Sequence, residues 1–239
     1  MDELCREIAE EGPMKMFVGQ TFAVVLLLTA CTSLTASEQF LMGEVAAYTE
    51  GTPPVTIKTP ADFLVLQVRL ENDSRDDKQR EQEIYATILA LVKAAEEAGN
   101  IQLHSGLDTI KSGTHKVKLS KGGARPDTSQ TEIYVKLPLT ADADVPGLTE
   151  HLKKFVSVAK PDGRTQLFPG DVGLSIVDPE KHRYELLWAI AKDIKKVSEL
   201  FGDAYKFSVS GLDTRIRVRR TGVKEVELYV HYSFSMSSK

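Results

Sequence analysis

The chain is poor in the residues that usually announce chemistry. Its 239 residues hold two cysteines and one tryptophan, and 30 Lys+Arg against 34 Asp+Glu leave a formal net charge of -4. Two cysteines exclude a disulfide-rich scaffold and a four-cysteine zinc site. So mild a charge gives no reason to expect nucleic acid as a partner. No apolar run reaches the ~20 residues needed to span a bilayer. The 42% hydrophobic and 27% charged fractions exclude disorder and a multi-span membrane protein. The length suits one domain or two small ones.

Reactive motifs are missing too. His104, His115, His151, His182 and His231 show no pairing at three or four residues and no H-E-x-x-H, so neither a metal nor another cofactor is expected. His104 and His115 could meet only across strands. There is no G-x-S-x-G; Ser105 and Ser210 precede glycines at strand ends. The glycine-rich Lys121–Arg125 lacks the phosphate-loop spacing and opens no helix.

What is present begins at the N-terminus. Residues 1–13 carry five acids and one base, hence the whole -4; the other 226 residues are formally neutral. Met14-Lys15-Met16 then gives a small basic start, Phe17–Leu28 is almost entirely apolar, and Leu28-Thr29-Ala30-Cys31 follows. These are the parts of a secretory signal. The Leu-x-Ala-Cys ending is that of a bacterial lipobox, whose cysteine is diacylated and becomes the first mature residue. The reading is therefore residues 1–13 as a misassigned start, 14–30 as a lipoprotein signal peptide and Cys31 as the lipidation site. A tether follows over 31–54, with a first strand near Phe40–Tyr48, and the folded domain covers 55–239. Two acyl chains exceed the single-chain limit for stable attachment. With Cys5 in the stub and Cys31 lipidated, no thiol remains in the body. From Cys31 on, 28 bases face 29 acids.

Periodicity organises the body. Phe63–Glu71 alternates, with Leu64, Leu66, Val68 and Leu70 on one face. A long amphipathic helix follows, with Ile84, Ile88, Leu91, Val92 and Ala95 inward, Asp73 or Ser74 as its cap and Gly99 as its stop. Ile101–Thr109, Lys116–Ser120 and Thr131–Leu137 read as strands. Pro146–Ala159 is a shorter helix, with Leu148, Leu152, Phe155 and Val156 inward. Asp171–Val177 is a strand leading into a helix that starts at Asp178-Pro179-Glu180, buries Leu187, Ala191, Ile194 and Val197, and stops at Gly202. Lys206–Gly211, Thr214–Arg219 and Val223–Phe234 close the chain.

A repeat runs through this layout. Ser105-Gly106-Leu107-Asp108-Thr109 returns as Ser210-Gly211-Leu212-Asp213-Thr214, each copy just after a long helix, and Glu132-Ile133-Tyr134-Val135 is echoed by Glu227-Leu228-Tyr229-Val230. The expected fold is α+β: duplicated β-α-β-β-β halves over about 55–140 and 165–239, as antiparallel sheet with two long helices packed on one face and a short connecting helix. Asp108 and Asp213 read as turn residues.

From about Thr56 to Met236 these residues resemble the SIMPL domain family. The resemblance rests on Pro60-Ala61-Asp62 before the first long strand, the helix ending Ala94–Gly99, the stretch TEIYVKLPLTADADVPGLTEHLKKFV, the junction GLSIVDPEKHRYELLWAIAKDIKKVSELFG and the ending VELYVHYSFSM. Leu187, Trp188 and Ile194 depart from the Ala-rich second helix of the family. The resemblance implies an exported periplasmic or outer-membrane-associated protein, of a kind that in some members forms rings, with no established reaction.

One further pattern concerns binding. Arg215, Arg217 and Arg219 alternate with Ile216 and Val218, and Arg220 follows. Period two puts three guanidinium groups on one strand face. This is either an edge strand protected by charge or a contact for an acidic envelope component such as headgroups or polysaccharide. The functional expectation is a lipid-anchored envelope protein facing the periplasm, at the outer membrane where two membranes exist, since Thr32 is not the retaining Asp. It would act as a binding and assembly module and form a homo-oligomer. The alternative is a hydrolase acting on envelope polymers.

Overall fold

A computed structural model of the chain describes residues 37–43, 53–111, 117–121 and 127–239. The residues read as start and signal segment and Cys31 lie outside the described residues, as do His115, the tip Gly122–Arg125 and residues 32–36 and 44–52 of the expected tether. The fold is mixed α+β. Its main sheet is a strongly curled half-barrel built on β3 (Phe63–Asn72), whose alternation puts Leu64, Leu66, Val68 and Leu70 in a dry core on one face. β3 pairs antiparallel along its length with β7 (Ser129–Pro138), and on its other side with β8 (Thr165–Val177) across an irregularity between Leu66 and Val68. β4 (Gln102–Ser105) and β5 (Asp108–Thr109) extend the sheet beyond β7, with the short β6 (Ser120–Lys121) also pairing β7. The expected strand Ile101–Thr109 is thus a tight hairpin, turned at Gly106 with φ 58. Thr165 begins β8 six residues before the expected Asp171.

β1 (Glu38–Leu41) forms the opposite edge, paired with β8. It starts two residues earlier than the expected first strand, inside the segment read as tether.

Two helices cover the apolar face. α1 (Asp77–Ala98) buries Ile84, Ile88, Leu91, Val92 and Ala95, as its periodicity requires, and ends at Gly99 with φ 76. Its cap is Asp76, which accepts from the Gln79 amide at 2.9 Å. Asp73 and Ser74 are used otherwise: Asp73 binds the Arg164 guanidinium, and the Ser74 hydroxyl donates to Glu83 at 2.8 Å. The second covering helix is the short α2 (Val145–Val158), through Leu152 and Val156. α3 (Arg183–Phe201) lies instead beside β9 (Tyr205–Ser210). It buries Leu186 and Ile190, while Ala191 is exposed and Leu187 and Val197 are half-exposed. The apolar arc of α3 is wide enough to present either set, and packing selects the neighbouring stripe. Asp178 does not cap α3; its backbone is left-handed at φ 50, and a 3-10 turn over Pro179–His182 precedes the helix.

The C-terminal strands do not join the main sheet. β10 (Arg217–Arg220), β11 (Glu225–Tyr229) and β2 (Ile57–Pro60) form a three-stranded sheet, and among the described residues β9 pairs with β12 (Ser233–Ser238) alone. The expected strand Val223–Phe234 is therefore divided between two sheets. Among the described residues no helix is long and apolar enough to cross a membrane.

Candidate functional site

Three places gather unusual side chains. The first lies inside the curl of the main sheet, on the face away from the helices. Lys136 of β7 is almost wholly buried and donates to the Glu38 carboxylate of β1, and the Ser175 hydroxyl of β8 donates to the same oxygen. Its ammonium sits 4.1 Å from the Phe63 ring centroid and 5.5 Å from that of Phe40. Phe40 stacks on Tyr134 at 4.9 Å and meets the buried His104 edge-on at 6.2 Å. Burial pushes the Lys136 ammonium below its ordinary pKa despite Glu38. Burial and the nearby Lys136 charge likewise lower that of His104. Serine, lysine and carboxylate together suggest a nucleophile, yet Ser175 is 0% exposed and Lys136 1%. Access is closed, and what the arrangement does is hold β1 to the sheet.

Glu83 on α1 marks the second place. It accepts from Asn72 at 2.6 Å, Ser74 at 2.8 Å, Gln79 at 2.8 Å and the Arg164 amide at 2.9 Å. Those donors, Asn72 foremost, lower its pKa from 4.5 to about 2. The carboxylate pins the loops before α1 and before β8 onto the helix.

The third place is the arginine ladder: the expected strand Thr214–Arg219 is observed only as β10, Arg217–Arg220, so Arg217, Arg219 and Arg220 are on the strand and Arg215 lies two residues before it. Its four members are treated differently. Arg219 pairs with Glu227 across to β11, where burial opposes ionisation but Thr56 and Arg219 hold the carboxyl below its usual pKa. Arg220 donates to the carbonyls of Gly43 at 2.8 Å, Val172 at 2.9 Å and Gly222 at 3.1 Å, so it clamps the end of β1. Both are committed to the fold. Arg215 and Arg217 are exposed, and among the described residues neither has an ion-pair partner. With Gln39, Thr214 and Tyr229 they line a groove of about 410 Å³. Gln39 could not be read from sequence as part of this site, because its place depends on β1 leaving the tether to pair with β8.

The remaining candidates stay apart. Asp108, expected in a turn, is the first residue of β5, while Asp213 lies in a turn; both are exposed, and among the described residues no three His, Cys, Asp or Glu side chains cluster as metal ligands. Comparison with family models, with curated proteins and with solved structures gives no match.

Proposed function

We propose that the chain is a bacterial envelope lipoprotein, acylated at Cys31, whose body is a non-catalytic SIMPL-like module that binds and self-assembles at the membrane surface. The observation that carries the assembly reading is the β9–β12 ribbon. Phe207 faces Met236 and Val209 faces Phe234 across it, with Phe234 46% and Met236 43% exposed. Two strands alone are marginally stable in water. β12 carries neither charge nor proline along Ser233–Ser238, the devices that normally protect an open edge, whereas β10 carries three arginines. A second copy offers the same bare edge, and two such edges pair antiparallel about a twofold axis.

The duplicated β-α-β-β-β architecture belongs to this reading. It is supported by the left-handed glycine in each pentapeptide, Gly106 (φ 58) and Gly211 (φ 87).

Light scattering on the detergent-solubilised mature protein tests assembly. A dimer or larger ring is expected, reduced to monomer by S235K/S237K, which places charge on the edge. A strict monomer across the concentration range overturns it. Mass spectrometry of the mature N-terminus tests acylation separately.

A further inference from the structure

We infer that Arg215 and Arg217 form a phosphate-binding site for the headgroup of an anionic phospholipid in the membrane that carries the anchor. The inference rests on the proposed acylation of Cys31 for its geometry.

The arginines supply the chemistry. Both are exposed, and among the described residues neither has an ion-pair partner; Arg217 opens β10, Arg215 lies two residues before it, no more than about 7 Å along the chain, and both line the same groove. That spacing lets two planar forks approach one phosphate or two neighbouring ones. The surrounding face adds to their charge. Tyr229 lies opposite Arg217, and the row Arg219, Glu227, Lys58 runs beside them with its only carboxylate already bound to Arg219. The nearby Glu180 is likewise spent on the Ile216 amide at 2.9 Å and on Arg183. Asp213 is the one exposed acid close in sequence.

Position selects the source of phosphate. Gln39 of β1 lines the same groove and reaches the Ile216 carbonyl at 3.5 Å. Seven residues lie between Cys31 and Gln39, so the two are no more than about 29 Å apart along a fully extended chain. The strand that the tether enters is thus a wall of the groove, and an acylated Cys31 keeps the two arginines within reach of headgroups. Each arginine near an anionic bilayer strengthens attachment by about fivefold.

The test uses the mature acylated protein in nanodiscs of phosphatidylcholine alone or with about one third phosphatidylglycerol. Modification of individual arginines by phenylglyoxal is followed by mass spectrometry, with the exposed Arg75 as reference. Arg215 and Arg217 should react at least fivefold more slowly in the anionic discs while Arg75 is unchanged. Slowing no greater than that of Arg75 overturns the site. Equal protection in neutral discs by millimolar inorganic phosphate overturns the lipid assignment in favour of a free anion. Should the mass of Cys31 show no lipid, the anchoring reading fails on its own. The comparison is then made with the same protein beside vesicles of the two compositions, where unprotected arginines overturn the groove.

Discussion

Lys136 and Glu38 form an ion pair although two strands, β3 and β8, stand between β7 and β1 in the sheet. Side chains separated by three strand spacings meet only because the sheet curls, folding β1 back over β7. Gly173 permits the closure, since a Cβ there would lie 2.4 Å from the Leu41 carbonyl oxygen. Removing one partner leaves the other charge buried. Glu38→Ala should lower unfolding free energy by about 3–5 kcal/mol, whereas E38L/K136M should recover most of it, because a matched apolar pair carries no desolvation cost. Urea unfolding of the three proteins decides this. An unaltered E38A midpoint would show that the pair is not what closes the sheet.

Glu83 links stability to acid pH. Its folded pKa of about 2 lies below the ordinary 4.5, so its contribution is complete above about pH 4.5 and is lost as pH falls toward 2. Glu83→Gln brings donors into a nest of donors and should be less stable than wild type at pH 6. The gap should narrow through pH 4 and be mostly lost by pH 2.5. Melting temperatures across that range give the answer; parallel curves would mean that Glu83 does not carry this linkage.

The elements with one strong signal were legible from sequence, and those fixed by packing were not. β3 and α1 show clean periods of two and 3.6, and the residues expected inward are buried, together with Val65 on the other face of β3 and Arg80, Glu83 and Thr87 on α1. Gly99 and Gly202 end helices as expected. α3 misled because its apolar arc is broad, so that Leu186 and Ile190, one position from the expected stripe, take the buried side. The arginine alternation was plain, but which arginines are free depends on Glu227 and on the carbonyls of Gly43 and Val172, all distant in sequence. Lys136 gave no warning at all. Within TEIYVKLP it falls on the polar phase of an alternating strand, the side that ordinarily faces water, and only the curl of the sheet buries it.

Two left-handed glycines separate backbone strain from crowding. Gly163 has φ 53, and a Cβ there would meet the Glu83 carboxyl carbon at 2.1 Å; Gly106 has φ 58 and open space. Gly106→Ala should cost about 1–2 kcal/mol, the conformational term alone. Gly163→Ala should cost clearly more, because the carboxylate must leave its four donors. Equal losses in thermal unfolding would show that the contact with Glu83 yields freely.

The clamp on β1 makes a prediction specific to one arginine of the ladder. Arg220 binds three carbonyls, two of them holding Gly43 to Val172, and its partial burial lowers its pKa. In Arg220→Gln those carbonyls lose a charged donor, at a local cost of about 2 kcal/mol, so the segment 37–43 should open about 30-fold more often. Arg217→Gln touches no such contact and should leave opening unchanged. Limited proteolysis under conditions where opening is fast relative to cleavage reads the difference as the rate of cutting within 37–43. Cutting rates that rise together in both variants would mean that the ladder acts through its charge; a rise confined to R220Q would assign one arginine to the fold and leave Arg215 and Arg217 free for a ligand.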